Sequence, residues 1–161
     1  MESVGERENL LAAASSTDAD NMTAPVILML EDDLDRLARF WAIADCFGIE
    51  IIDWADARKM IAELPAHLAS ADLISLDHDL APIHDIEPGD GLDVAKYLAA
   101  LPPVCPVLIH TSNGIRGDAM AGELELAGWT YQVVAPIGDD WIETDWYRVV
   151  RRALRTQRKP R

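Results

Sequence analysis

Ala71-Asp72-Leu73-Ile74-Ser75-Leu76-Asp77-His78-Asp79-Leu80 is the stretch from which the fold is read. Leu73 to Leu76 has the look of a short buried strand with one small polar residue, and it stops abruptly on two carboxylates and an imidazole. Two other apolar runs end in the same manner. Val26 to Leu30 leads into Glu31-Asp32-Asp33, and Pro106 to Ile109 leads into His110-Thr111-Ser112-Asn113. In open α/β sheets ligands bind outside the carboxyl ends of the strands, so three polar tips point to one site.

Working outward, the pattern alternates strand and helix five times. After Val26–Leu30, Leu34, Leu37, Ala38 and Trp41 follow helical spacing, with Asp33 as N-cap and Gly48 as stop. Ile49 to Ile52 is a second strand, and a helix from Ala55 to Leu64 is expected to end at Pro65. A loop over 81–91 separates the third strand from a helix spanning Leu92 to about Leu101, with Asp90 and Asp93 as N-terminal caps. Val107 to Ile109, a helix from about Ile115 to Ala127, and a strand from Tyr131 to Val134 complete the alternation. The last helix starts near Asp140, with Glu143 in a capping box, and buries Ile142, Trp146, Val149, Val150 and Ala153. This order predicts an α/β fold, a doubly wound five-stranded parallel sheet of flavodoxin-like order 2-1-3-4-5. The three polar tips then sit on neighbouring strands.

Residues 1–24 lack a sustained period and are expected to be a disordered leader. The domain is expected over 25–155, with a basic tail over 156–161. The net charge of −14 is unevenly placed. All 28 acidic residues precede Arg148, while seven of the 14 basic ones lie from Arg148 onward, leaving a body of −21 and an end of +7. An acidic body disfavours broad nucleic-acid binding. The basic C-terminal helix is a candidate contact for a protein partner, or simply a solvated helix end whose cations suit the C-terminal dipole. Cys46 and Cys105 have no metal-ligand spacing and read as reduced core thiols. No apolar run reaches membrane-spanning length and no signal peptide is visible, so a cytoplasmic location is expected.

The tips carry a chemistry. Glu31, Asp32 and Asp77 are hard oxygen ligands for Mg²⁺ or Mn²⁺, with Asp79 a further ligand or the cap of the following turn. A divalent metal relieves their mutual repulsion and polarises a phosphoryl oxygen. Asp77, His78 and His110 are the candidate catalytic residues, the histidines as acid or base near neutral pH. Strand alternation places each histidine on the face opposite its neighbour Asp77 or Thr111, so a structural histidine pair is the competing reading. Thr111, Ser112 and Asn113 are candidate phosphate donors at a helix start. Trp129, Trp141 and Trp146 are expected in the core, and His67 and His84 on the surface.

The runs Val26–Asp33, Asp72–Asp77 and Pro106–Ser112 resemble three signatures of the response-regulator receiver domain over about Val26 to Leu154. The resemblance implies that Glu31 and Asp32 help hold Mg²⁺, that Asp77 is the phosphoacceptor, and that Thr111 contacts the phosphoryl group. It fails where receivers carry Lys-Pro after strand five, because Ala135-Pro136 stands there and no Lys lies between Lys96 and Lys159. A phosphoryl group on Asp77 then lacks a charge-assisted partner. With Gly91-Leu92-Asp93 and Gly128-Trp129, the triple LEDD, LDHDL and HTSN is similar to the cyclic-phosphate-processing receiver domains. That likeness implies a metal-dependent phosphoesterase acting on a small cyclic-phosphate ligand. The alternative is a signalling receiver or pseudo-receiver without turnover.

Overall fold

The computed structural model describes residues 23–157. Five strands, β1 (Val26–Leu30), β2 (Glu50–Trp54), β3 (Leu73–Leu76), β4 (Val107–Ile109) and β5 (Tyr131–Val133), form one parallel sheet in the order β2-β1-β3-β4-β5. This is the expected order. Five α-helices connect and flank the strands: α1 (Leu34–Phe47), α2 (Ala57–His67), α3 (Gly91–Ala99), α4 (Gly114–Leu126) and α5 (Tyr147–Gln157). Residues 1–22 of the expected leader over 1–24, and 158–161 of the expected tail, lie outside the described residues, and α5 runs through Gln157, past the expected domain end.

Alternation along each strand divides the core in two. Leu28, Leu30, Ile74, Leu76, Val107 and Ile109 face α2, α3 and α4. Ile27, Met29, Leu73 and Leu108 face α1 and α5. Ladder bonding continues past the strand ends: Glu31 N–H donates to Trp54 O, Asp77 N–H to Leu30 O and His110 N–H to Leu76 O, each at 2.9–3.0 Å. The first residue of each polar tip is therefore fixed by its neighbouring strand.

The helix caps follow the sequence. Asp33 accepts from Arg36 N–H at the start of α1, Gly48 closes that helix at φ 62°, and Asp90 with Asp93 forms a capping box on α3. Trp129, Trp141 and Trp146 are buried. His84 is exposed, whereas His67 is partly covered and packs its ring against Trp54.

Several expectations are corrected. In α1 the buried face is Leu37, Phe40, Ile43 and Ala44, and Leu34 and Trp41 point outward. Helical spacing alone cannot choose between two overlapping apolar stripes, and Trp41 instead donates its indole N–H to Asp53. Pro65 lies inside α2, in its last turn, where it removes only one helical bond. Cys105 is buried, its thiol pushed up to about 12 chiefly by burial, but Cys46 is exposed. Glu143 does not cap the last helix and pairs with Arg39 of α1. That helix opens with a π-turn over Ile142–Trp146, in which Trp146 N–H bonds to Trp141 O. The wider turn shifts the phase so that Val150 and Leu154 are buried, while Val149 and Ala153 are only partly covered.

Candidate active site

The three polar tips converge as the strand order requires. One carboxylate oxygen each from Glu31, Asp32 and Asp77 lie within 4.8 Å of one another. Glu31 is fully buried and Asp77 is 3% exposed. Burial raises the Asp77 carboxyl above its ordinary range; the charge of Glu31 adds to this, and His110, Arg36 and the His78 N–H oppose it. Asp32 accepts from Ala81 N–H at 2.6 Å and so anchors the loop after β3.

Sequence reading passed over one member. Arg36, in the first turn of α1, folds back so that its Nη2 lies 3.0 Å from Asp77 Oδ2 and 3.1 Å from Glu31 Oε1. Capping by Asp33 sets the helix start that aims it there. The available signal was an arginine five residues past an acidic tip, on the turn that faces back over the sheet end. Three carboxylates and one guanidinium leave the site with a formal charge of −2. All its ligand atoms are hard oxygens, so the donor set fits a divalent cation of the Mg²⁺ or Mn²⁺ type.

The two histidines lie on opposite faces, as alternation requires, and do not form a pair. His110 is fully buried on the α1–α5 side. Its Nδ1 is 2.9 Å from Ser75 Oγ and its Nε2 is 3.2 Å from Glu31 Oε2. Phe40 and Trp141 pack on the ring. Both ring nitrogens of His110 are engaged and no edge of the ring is exposed. His78 faces the α3 side. Its Nδ1 is 2.7 Å from Asp79 Oδ1, while its buried Nε2 has no hydrogen-bond partner and lies 3.4 Å from Asp90 Oδ2.

Asp79 stands outside the carboxylate trio, shared between His78 and the side-chain amide of Asn113 at 3.4 Å. Asp90 is the expected cap of α3 and also the neighbour of His78. Their approach requires Gly91, where a Cβ would meet Asp77 O at 2.1 Å and His78 Cα at 2.9 Å.

Thr111 is buried, and its hydroxyl accepts from Asn113 N–H at 3.2 Å. Asn113 is the N-cap of α4, its side chain accepting from Arg116 N–H. Ser112 is exposed and borders a cleft of about 250 Å³ together with Thr111, Gly117, Ala135 and Pro136. The side of the site formed by the tip after β5 is therefore apolar, with Ala135 where receivers carry lysine.

Comparison with known proteins agrees with the fold. No curated protein sequence matches the chain significantly. Solved structures similar to it include the signal receiver domain of an HD domain-containing protein from Pseudomonas fluorescens Pf-5. That match has a TM-score of 0.62 and 17% identity, and covers 83% of this chain and 97% of that one. A two-component response regulator from Clostridium difficile matches with a TM-score of 0.60 and 21% identity over 84% and 99% of the two chains. The receiver domain of a sensor histidine kinase from Pseudomonas aeruginosa PAO1, solved with a magnesium ion coordinated in its active-site cleft, matches with a TM-score of 0.58 and 20% identity over 81% and 98%. At these identities the likeness establishes the receiver fold. The family model described as Cyclic-phosphate processing Receiver domain matches residues 27–126, more than half of the chain, and the protein belongs to that receiver-domain family.

Proposed function

We propose that this protein is a metal-dependent phosphoesterase that opens a cyclic phosphate ester. The observation that carries the reading is the carboxylate trio left at −2 after Arg36 is counted, at a site whose β5 side offers Ala135 and no lysine. Glu31, Asp32 and Asp77 would hold a divalent cation, which would supply charge neutralisation and polarise a phosphoryl oxygen. The chain's own groups supply the rest. The Thr111 hydroxyl and the amides at the start of α4 orient phosphate oxygens.

Ring opening adds water to phosphorus, breaks one P–O ester bond and requires a proton for the departing oxygen. His78 is the imidazole assigned to that proton. Asp79 holds Nδ1, which leaves Nε2 for transfer, as in carboxylate–imidazole dyads. The test is a panel of nucleoside and sugar cyclic phosphates incubated with the protein, with and without Mn²⁺. Opening of at least one member is expected, dependent on metal and lost in Asp32→Asn. If no member opens, the phosphoesterase reading fails.

A second reading has its own support, since the solved structures cited above are two receiver domains and a two-component response regulator. In it Asp77 accepts a phosphoryl group and the chain signals without turnover. Incubation with acetyl phosphate and Mg²⁺ decides this, read by intact mass. The phosphoesterase reading expects no lasting modification, because no lysine side chain is present at Ala135 to hold the phosphoryl group. Stoichiometric labelling that vanishes in Asp77→Asn establishes the signalling one.

A further inference from the structure

We infer that Trp146, Ser75 and His110 form a directional hydrogen-bond relay that positions the Glu31 carboxylate for its cation, which makes the π-turn before α5 a working part of the site. The inference rests on the divalent-cation reading above and adds residues that touch no ligand. The four groups come from four separate elements and each is fully buried. Trp146 Nε1 donates to Ser75 Oγ at 3.0 Å, Ser75 Oγ lies 2.9 Å from His110 Nδ1, and His110 Nε2 lies 3.2 Å from Glu31 Oε2.

The hydrogen inventory gives the chain a direction. An indole N–H only donates, so Ser75 Oγ accepts from Trp146 and its single hydroxyl hydrogen is left for His110. Glu31 chooses between the neutral tautomers: a carboxylate only accepts, so the ring hydrogen sits on Nε2 and the bare Nδ1 accepts from the Ser75 hydroxyl. The opposite tautomer leaves a bare nitrogen against the Glu31 carboxylate, two acceptors with no hydrogen between them. Of the two neutral tautomers, only this one satisfies all four groups.

The consequence falls on Glu31. Its Oε1 is held by the N–H groups of Asp32 and Asp33 and by Arg36, whereas His110 is the donor to Oε2. Without His110 Nε2–H the carboxylate is held on one side only and is free to turn. The ring itself is clamped, with Phe40 at 5.4 Å and Trp141 at 6.0 Å between centroids. Residues 141 and 146 would lie roughly 140° apart around an α-helix, and the wider π-turn brings both indoles to the His110 side. Apolar residues would fill this face, which Ile27, Met29, Leu73 and Leu108 otherwise line, at no desolvation cost. A fully matched polar chain there serves to fix an orientation.

The test uses the full chain, Mn²⁺ alone as probe, and two variants that remove a polar link while keeping most of the volume, Ser75→Ala and Trp146→Phe. Nitrogen NMR of His110 in the wild type is expected to show the Nε2–H tautomer, and Ser75→Ala to mix the two tautomers. Both variants are expected to weaken Mn²⁺ binding by roughly 10- to 100-fold, the usual effect of groups that orient a metal ligand. A wild type in the Nδ1–H tautomer overturns the relay. Variants that melt earlier but bind Mn²⁺ as tightly as the wild type reduce it to packing and overturn the positioning role. A wild type with the expected tautomer that binds no Mn²⁺ overturns the cation reading, and the positioning role with it.

Discussion

His78 stands two residues past the end of β3 and His110 one residue past the end of the adjacent β4, and their surroundings are opposites. His110 is sealed among Phe40, Trp141 and Ser75, with both ring nitrogens engaged. His78 is held by Asp79 on one nitrogen and keeps the other without a hydrogen-bond partner, beside Asp90. Because Leu76 and Ile109 pair in register, offsets of two residues and one put the same residue type on opposite faces of the sheet, as the candidate support of Glu31 on one and the candidate proton carrier on the other. What separates them is strand alternation together with the elements packed outside: a helix pair with a π-turn against His110, and a loop closed by Gly91 against His78.

The largest expected effect breaks the comparison at His78. In an assay of ring opening His78→Gln should lose roughly 10²- to 10⁴-fold in turnover, the usual contribution of a positioned acid or base, with little change in melting temperature. His110→Ala should behave the other way. It opens a cavity and strands buried Ser75 and Glu31 partners, at a cost of about 2–4 kcal/mol. Differential scanning calorimetry should show a fall on the order of 10 °C, while turnover at saturating metal persists. If the two variants exchange these phenotypes, the assignment of roles is wrong.

The next effect concerns the carboxylates that both histidines flank. At a Mn²⁺ concentration about 100 times its dissociation constant, binding should stabilise the wild type by about 2.7 kcal/mol. Asp32→Asn should remove most of that rise, and thermal shift titration reads both. An equal rise in the two proteins would place the cation elsewhere.

The smallest effect is a pH dependence at Asp77. Burial raises its folded carboxyl above the ordinary value of 3.8, so the unfolded chain gives up that proton first as pH rises. The contribution to stability is present below the ordinary carboxylate range and is lost as pH rises through the folded value. Asp77→Asn should therefore raise the metal-free melting temperature at pH 7, and the advantage should fade as pH falls toward about 3.8. A variant less stable than the wild type at pH 7 would show that Arg36 outweighs the desolvation.

Much of the fold was legible because its signals are local. Asp33 and Gly48 bracket α1 as caps do, and the polar tips after three apolar runs located the site. The parts that were not legible depend on packing between distant segments. Phe40 is buried and Trp41 is not because α5 and its π-turn lie on one side of α1. Arg36 reads as an ordinary helical cation until the turn it occupies is placed above Asp77. The division of labour between the histidines was legible only as a warning from alternation, since Ser75 and Trp146 are 35 and 36 residues away from His110 in sequence on opposite sides of it.

The central claim is that these tips turn over a cyclic phosphate and do not store a phosphoryl group on Asp77. Phosphorus NMR of the protein with Mn²⁺-free buffer, then Mg²⁺, and a large molar excess of a cyclic phosphate that the panel identifies tests it most directly. The account predicts that the ring-opened monoester signal appears only after Mg²⁺ is added and grows through many equivalents of protein. A cyclic phosphate signal that stays unchanged, in a protein that acetyl phosphate labels once on Asp77, would contradict it.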